Sequence, residues 1–197
     1  MKVYIDDHID GFDLEAALQQ ISEQRREQAL RFKFERGRRE CVLAYLLLKR
    51  GLRELYGITE NPLFAYGEHG KPSIVGHPEI HFNLSHCREA VACVVSDHPV
   101  GIDVESVVRH YKEGLVGYTM NEQEQQLIAS AQQPDVAFTR LWTMKEARLK
   151  LTGEGITDNV KGALADSDRW HFSTVECLER GFVYTVCQFK GKGESEK

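Results

Sequence analysis

The sequence contains no hydrophobic run long enough to cross a membrane. Its longest apolar stretch, Cys41–Leu48, is followed directly by Lys49 and Arg50, whereas a membrane-spanning helix needs about 20 apolar residues. The first ten residues include three aspartates, where a secretory signal peptide would be apolar. These two absences lead us to expect a cytoplasmic protein that does not associate with membranes.

The sequence also lacks the cysteine pairs of a disulfide framework or a zinc ribbon. Its five cysteines stand far apart and form no C-x-x-C pattern. An odd number at such spacing is typical of free thiols in a reducing compartment. His81, His86 and Cys87 lie near one another in the sequence, but their spacing matches no common zinc pattern.

An excess of positive charge is missing as well. Lysine and arginine number 25 against 30 aspartates and glutamates, for a formal net charge of −5, which argues against a general nucleic-acid-binding protein. Between Arg25 and Glu40, however, seven basic residues face three acidic ones. Such a segment is typical of a solvated helix face, or of a local patch for a phosphorylated small molecule or an acidic partner.

The remaining composition is that of an ordinary globular protein. Of the 197 residues, 42% are hydrophobic and 28% are charged, enough for one large domain or two small ones. Periodicity and turn residues predict helices over Asp13–Phe34 (with a break at Ser22), Arg38–Tyr56, Asn121–Ala131 and Phe138–Leu151. They predict strands over Lys2–Ile5, Ile80–Leu84, Ala90–Val95, Val100–Val104, Trp170–Glu176 and Phe182–Phe189. The glycine- and proline-containing segment Tyr66–Gly76 is predicted to be a loop.

The predicted helix Phe138–Leu151 carries charged residues along its apolar side. Lys145 lies within the apolar stripe and Glu146 at its edge. A lysine that faces a core needs a route to solvent or a partner in a cleft. Glu146 and Lys150 are four residues apart, which is typical of a solvated surface pair. The position of Lys145 favours instead a functional site at the edge of the buried face.

The strand Val100–Glu105 places two carboxylates on one face. Asp103 and Glu105 alternate with apolar residues, which puts their Cα atoms about 6.5–7 Å apart on the same side. Like charges this close repel unless a cation lies between them, although a solvent-facing strand would show the same pattern. Because Ala90–Val95 precedes this strand, we expect the two to be neighbours in a sheet. Together with Glu146, the carboxylates suit Mg²⁺, and Mn²⁺ equally.

Four short motifs follow one another between Gly70 and Lys150. They are G-K-P at Gly70–Pro72, F-N-L-S-H at Phe82–His86, G-I-D-V-E at Gly101–Glu105 and W-T-M-K-E-A-R-L-K at Trp142–Lys150. In this order they resemble the 4′-phosphopantetheinyl transferase family of the surfactin-synthetase-activating type. The resemblance implies an α+β fold of two similar α/β halves with pseudo-twofold symmetry and an active site in the cleft between them. It implies a coenzyme A-binding half over residues 1–99 and a metal-binding and catalytic half over 100–190. The charged, glycine-rich composition of residues 191–197 predicts a flexible tail.

The resemblance also implies a reaction and the residues that carry it out. The 4′-phosphopantetheine arm of coenzyme A would be transferred to a serine of an apo acyl or peptidyl carrier protein, with Mg²⁺ required and adenosine 3′,5′-bisphosphate released. The implied metal ligands are Asp103, Glu105 and Glu146, and the implied catalytic residues are Glu146, Lys150 and Glu122. Implied coenzyme A contacts come from Lys71, Pro72, Ser85, His86, Arg39, Arg25 and Lys150. Lys145 is a further candidate for the pyrophosphate. A chain with both halves needs no partner to complete its site, so we expect a monomer.

Some of these positions depart from the family pattern. Aligning the apolar run Val42–Leu48 puts Glu40 where the family has a phosphate-binding arginine, and a shift of one residue would bring Arg39 there. Arg25 takes the place of a lysine near the coenzyme. Glu122 matches a family glutamate that is a candidate base or metal neighbour, but it would also fit the start of a surface helix.

Two other functions stay open at this stage. A metal-dependent nuclease also combines acidic residues with a glutamate and a lysine, but it needs the last two at alternate positions of a strand, whereas here they lie four apart on a predicted helix. A non-catalytic module that binds coenzyme A or a carrier protein would have the same fold. Against this second alternative, every acidic metal-binding position is retained.

Overall fold

The computed structural model describes residues 1–67, 70–107, 113–155 and 160–191. The first part of the chain forms β1 (Lys2–Asp6), α1 (Leu14–Leu18), α2 (Glu23–Leu30), α3 (Glu35–Tyr56), β2 (Phe64–Tyr66), β3 (Pro72–Ile74), β4 (His81–His86) and β5 (Val91–Ser96). The second part forms β6 (Val100–Ser106), α4 (Glu113–Thr119), α5 (Glu122–Ser130), α6 (Pro134–Thr152), β7 (Trp170–Cys177) and β8 (Phe182–Phe189). Of the predicted flexible tail, all but residue 191 lies outside the described residues.

The strands form two three-stranded antiparallel sheets and one short hairpin. The strand orders are β1-β5-β4 and β6-β8-β7, and β2 pairs with β3. In each three-stranded sheet, the strand that comes last in the sequence lies between the other two. Helices and antiparallel sheets together give a mixed α/β structure, in agreement with the predicted class.

Helix α3 provides much of the core of the first part. Its residues Val42, Tyr45 and Leu48 are fully buried, and the helix packs against β5. It begins earlier than the predicted Arg38 and ends at Gly57, whose φ of 70° is a left-handed conformation that glycine adopts without strain. The predicted break at Ser22 is confirmed, because the Ser22 side chain caps the start of α2.

The predicted loop Tyr66–Gly76 is wrong in part, because it contains strand β3. This strand pairs with β2, with Phe64 opposite Ile74. Both side chains are buried, so the packing of two apolar residues across the hairpin stabilises strands that the turn residues alone did not indicate.

Strand β6 does not pair with β5, contrary to our expectation, but with β8. Its other edge is satisfied by side chains of β4. The Ile102 N–H donates to Asn83 Oδ1 (2.9 Å), and the Val104 N–H donates to Ser85 Oγ (3.2 Å). Because these side-chain oxygens replace a strand partner, the two sheets meet at β4 and β6 without a shared backbone ladder.

Helix α6 lies unusually close to β6. A Cβ atom on Gly101 would be 2.1 Å from the carbonyl oxygen of Ala147, so that only glycine fits there. The helix begins at Pro134, ahead of the predicted Phe138, and ends at Gly153 with a φ of 76°. This contact brings the last two turns of α6 next to β6. Among the described residues, no helix combines the length and apolar composition that a membrane crossing requires.

Candidate active site

Asp103 is the centre of a polar cluster where β4, β6 and α6 meet. Its side chain is almost fully buried, and its Oδ1 atom accepts hydrogen bonds from Lys150 Nζ (2.5 Å) and Ser85 Oγ (2.9 Å). Lys150 Nζ also donates to Ser85 Oγ at 2.9 Å. The second carboxylate oxygen of Asp103, Oδ2, is buried and has no hydrogen-bond partner.

Glu105 lies two residues further along β6 and is partly buried. Burial raises its pKa to about 7, and the negative charge of Asp103 adds to the increase. The indole N–H of Trp142 donates to Glu105 Oε1 at 3.3 Å. Trp142 therefore bonds Glu105 in addition to packing against the core, a contact that the sequence did not reveal. The Trp142 hydrogen bond and the Lys150 charge lower this pKa, but burial and the charge of Asp103 outweigh them.

Glu146 completes a group of three carboxylates. It is 8% exposed, and burial, followed by repulsion from Asp103, raises its pKa. Its Oε1 atom is buried without a hydrogen-bond partner. The alternative of a solvated Glu146–Lys150 surface pair is wrong, because Glu146 is buried and the Lys150 ammonium bonds Asp103 instead.

The chemistry of these three carboxylates fits a hard divalent cation. Two buried oxygens, on Asp103 and Glu146, lack partners, and burial followed by repulsion from Asp103 raises the pKa values of Glu105 and Glu146. The carboxylate oxygens of these three residues do not all lie within 4.8 Å of one another, however. Among the described residues, ligand atoms gathered within 4.8 Å of one another occur elsewhere, in Asp6–His8, where Arg180 already pairs with an aspartate.

A cleft of about 270 Å³ opens beside this cluster. Its lining includes Lys71 and Pro72 from the first part of the chain and Glu146 and Lys150 from α6. Lys71 Nζ donates to the carbonyl oxygen of Leu151 (2.7 Å) at the end of α6, and burial lowers the pKa of Lys71. The structure thus brings Lys71, Pro72, Glu146 and Lys150 together as the sequence analysis expected.

Ser85 and His86 lie at the end of β4, but only Ser85 reaches the cluster. The Ser85 hydroxyl donates to Asp103 and accepts from Lys150 and the Val104 N–H, so its hydrogen-bonding capacity is fully used within the protein. His86 is exposed, and its Nδ1 atom lies 3.5 Å from a carboxylate oxygen of Glu40.

The two arginines predicted to contact coenzyme A are engaged within the protein. Arg25 is 8% exposed, and its guanidinium donates to the Cys41 carbonyl oxygen and to Gln28 Oε1. It therefore lies inside the α2–α3 contact and does not offer a donor to a cleft. Arg39 pairs with Glu35 and donates to the carbonyl oxygen of Phe12. For Arg39, the i,i+4 spacing from Glu35 along α3 explains the choice of a local partner.

Glu122 is not part of the carboxylate cluster. It is exposed in the first turn of α5 and lines a different depression, with Val116 and Gln125 among its neighbours. Glu124, in contrast, is buried and completes the N-terminal capping box of α5 with Asn121. The N-x-x-E spacing could have indicated this capping role from the sequence.

Lys145 points away from the cleft, so its assignment to the pyrophosphate is not supported. Its ammonium is fully buried and pairs with Glu124 (2.9 Å). It also donates to the carbonyl oxygens of Val160 and Lys161, both at 3.0 Å. The lysine in the apolar stripe had indicated a partner in a cleft, and the partner is this buried glutamate.

Comparison with known proteins identifies relatives of the chain. Residues 99–195 match the sequence model of the 4′-phosphopantetheinyl transferase superfamily. The 4′-phosphopantetheinyl transferase psf-1 of Bacillus pumilus is 34% identical over 70% of this chain and 60% of its own length. The corresponding enzyme gsp of Aneurinibacillus migulanus is 33% identical over 69% of this chain and 57% of its own.

A third relative aligns over more of its length. The 4′-phosphopantetheinyl transferase Sfp of Bacillus subtilis (strain 168) is 28% identical over 79% of this chain and 70% of its own length. The chain thus spans less than two thirds of psf-1 and of gsp, but more of Sfp. The region matched by the family model contains the G-I-D-V-E and W-T-M-K-E-A-R-L-K motifs. Residues 99–195 of the chain therefore belong to the 4′-phosphopantetheinyl transferase superfamily.

Proposed function

We propose that this protein transfers the 4′-phosphopantetheine group of coenzyme A to a serine of an apo acyl or peptidyl carrier protein. The observation that carries the proposal is the cluster of Asp103, Glu105, Glu146 and Lys150 at the wall of a cleft. The names of the relatives support it, because all three are called 4′-phosphopantetheinyl transferases.

The reaction makes defined demands on the protein. A bond forms between the serine oxygen and the phosphorus that carries the pantetheine arm, and the pyrophosphate bond of coenzyme A breaks, releasing adenosine 3′,5′-bisphosphate. The serine proton must be accepted, and negative charge on the phosphate oxygens must be compensated. Lys150 lines the cleft with a partly exposed ammonium, which can compensate part of this charge.

The three carboxylates suit the divalent cation that such a reaction requires. Asp103, Glu105 and Glu146 would hold Mg²⁺ or Mn²⁺, which supplies charge compensation on the phosphate oxygens when bound. The hydrogen bond from Trp142 keeps Glu105 Oε1 oriented toward α6. Glu122 lies outside this cluster at the start of α5, so it is not placed next to the cation; its role as proton acceptor stays a prediction.

Coenzyme A would enter along the cleft wall formed by Lys71 and Pro72. Lys71 has a partly buried ammonium held at the end of α6, from which it can reach an anionic group in the cleft. Ser85 would act by holding Asp103 and Lys150 in place. His86 and Arg39 would contact coenzyme A only by leaving their present carboxylate partners, and Arg25 is too deeply buried for this role.

We further propose that residues 1–99 and 100–190 form two related halves. The strand orders β1-β5-β4 and β6-β8-β7 support this, because both place the last strand in the centre. A pseudo-twofold relation would put the cleft between the halves. We expect a monomer, since residues from both halves in one chain line the cleft. We also expect it to be located in the cytoplasm.

The experiment combines the protein with coenzyme A, Mg²⁺ and several apo-carrier proteins. Each modified carrier is expected to gain the mass of one phosphopantetheine group on serine. Absence of modification with measurable binding of coenzyme A or carrier would identify a non-catalytic module instead. Cleavage of nucleic acid without carrier modification would identify a nuclease, although Glu146 and Lys150 lie on a helix.

A further inference from the structure

Lys150 is the positively charged partner of the carboxylate cluster. Its Nζ atom lies 2.5 Å from Asp103 Oδ1, and the side chain of Asp103 is 3% exposed, against 28% for that of Lys150. A contact this close between a buried carboxylate and an ammonium is a strong, charge-assisted hydrogen bond. It compensates one of three neighbouring negative charges.

Ser85 holds this lysine in place. Its hydroxyl accepts from Lys150 Nζ (2.9 Å) and donates to the same Asp103 oxygen (2.9 Å). Asp103 Oδ1, Lys150 Nζ and Ser85 Oγ therefore form a closed triangle of hydrogen bonds. This arrangement uses one carboxylate oxygen of Asp103 and leaves Oδ2 without a partner.

A divalent cation and the Lys150 ammonium would compete for the same aspartate. A cation bound through Asp103 would lie within a few ångströms of Lys150 Nζ, where two positive charges repel strongly in a partly buried site. The lysine stem is flexible, and Lys150 also lines the cleft. The ammonium can therefore move into the cleft without any movement of the backbone of α6.

We propose that Lys150 is an internal counter-ion that occupies the carboxylate cluster in exchange with the divalent cation, so that cation binding releases its ammonium into the cleft. This inference rests on the proposed function for the identity of the cation. It gives Lys150 a second role, because the ammonium leaves Asp103 for the phosphates only when the cation is in place. By linkage, a ligand that binds the released Lys150 ammonium in the cleft must strengthen cation binding by the same factor by which the cation strengthens binding of that ligand.

The test measures Mn²⁺ binding to the full chain without coenzyme A, by the loss of the electron paramagnetic resonance signal of free Mn²⁺. Lys150→Met removes the competing ammonium and keeps the unbranched stem. We expect its dissociation constant for Mn²⁺ to fall about tenfold or more, within the usual range of coupling between two sites. Lys150→Gln serves as a second variant and is expected to change in the same direction.

The matched control is Lys71→Met, which removes a second lysine charge from the lining of the same cleft. Lys71 bonds the Leu151 carbonyl and not a carboxylate of the cluster. The dissociation constant of the Lys71→Met variant for Mn²⁺ should change no more than about threefold, as expected from long-range charge alone. Equal effects in the Lys71 and Lys150 variants would overturn the exchange, because general electrostatics would then explain both.

Carrier modification, measured separately on the wild-type protein, distinguishes the two proposals. If the wild type modifies carriers but Mn²⁺ affinity is unchanged or weaker in both Lys150 variants, the exchange is wrong and the proposed function stands. If the wild type modifies no carrier yet Mn²⁺ binding tightens in the Lys150 variants, the exchange holds and the transfer function is wrong. If no variant binds Mn²⁺, the exchange is refuted at this cluster.

Discussion

The buried pair of Lys145 and Glu124 leads to the largest predicted effect on stability. Replacing Lys145 with methionine keeps the volume of the stem but removes an ammonium that makes three contacts of 2.9–3.0 Å. Glu124 would keep only its bond from the Asn121 N–H, and its charge would remain buried. Removing one partner of a buried ion pair typically costs about 3–5 kcal/mol. We expect Lys145→Met to lower the free energy of unfolding by about 4 kcal/mol.

The assay is urea unfolding followed by circular dichroism, arranged as a double-mutant cycle. Glu124→Gln alone should also destabilise, but the double variant should cost less than the sum of the single ones by about 1–3 kcal/mol, because no charge remains unpaired. Lys161→Met provides the matched control, since Lys161 is exposed on the segment that Lys145 contacts. Its effect should stay within about 0.5 kcal/mol.

Two results would refute this reasoning. A cost below about 1 kcal/mol for Lys145→Met would mean that the ammonium contributes little beyond its stem. Strict additivity in the cycle would mean that Glu124 and Lys145 do not interact energetically. Either result would leave the position of α5 against α6 to apolar packing, such as that of Ile128 and Phe138.

The remaining predictions concern the cluster and its support. Because the pKa of Glu105 is raised to about 7, the folded chain binds more protons than the unfolded chain between its ordinary pKa and about 7, and stability falls as the pH rises through that range. In the presence of a chelator, Glu105→Gln should therefore be more stable than the wild type at pH 8 by ~1–3 kcal/mol and similar to it near pH 4. Thermal unfolding measures both differences. Equal stability of the two proteins at both pH values would contradict the raised pKa of Glu105 as the cause. Glu146→Gln should lower turnover, with partial recovery in excess Mg²⁺. Lys150→Ala should lower turnover by about 10²-fold at every Mg²⁺ concentration. A near-wild-type kcat in both variants would exclude α6 from the chemistry. Gly101→Ala should destabilise by about 3 kcal/mol or more, since its Cβ would overlap the Ala147 carbonyl, and a normal midpoint of urea unfolding would show that α6 can move away.

Local sequence patterns predicted most helices and strands of this protein. The β6 strand and the helix over Phe138–Leu151 are confirmed, with bounds that differ by a few positions. Such elements depend on hydrophobic periodicity and on end signals such as Gly57 and Gly153, which act within a few residues. The short strand β3 could not be predicted in this way, because its pairing depends on contact with β2 across a turn.

The sequence by itself also determined which residue types could form a site. The spacing in G-I-D-V-E and the charges on the α6 stripe indicated a carboxylate cluster with lysines nearby, and the structure brings Asp103 and Glu146 next to Lys150. Only the tertiary structure decided the partners of each charge. Lys150 turns to Asp103 and not to Glu146, whereas Lys145, from the neighbouring part of the helix, turns to the buried Glu124. The physical reason is that a long charged side chain takes the partner that best replaces its lost hydration, and which partner that is depends on how helices and sheets pack.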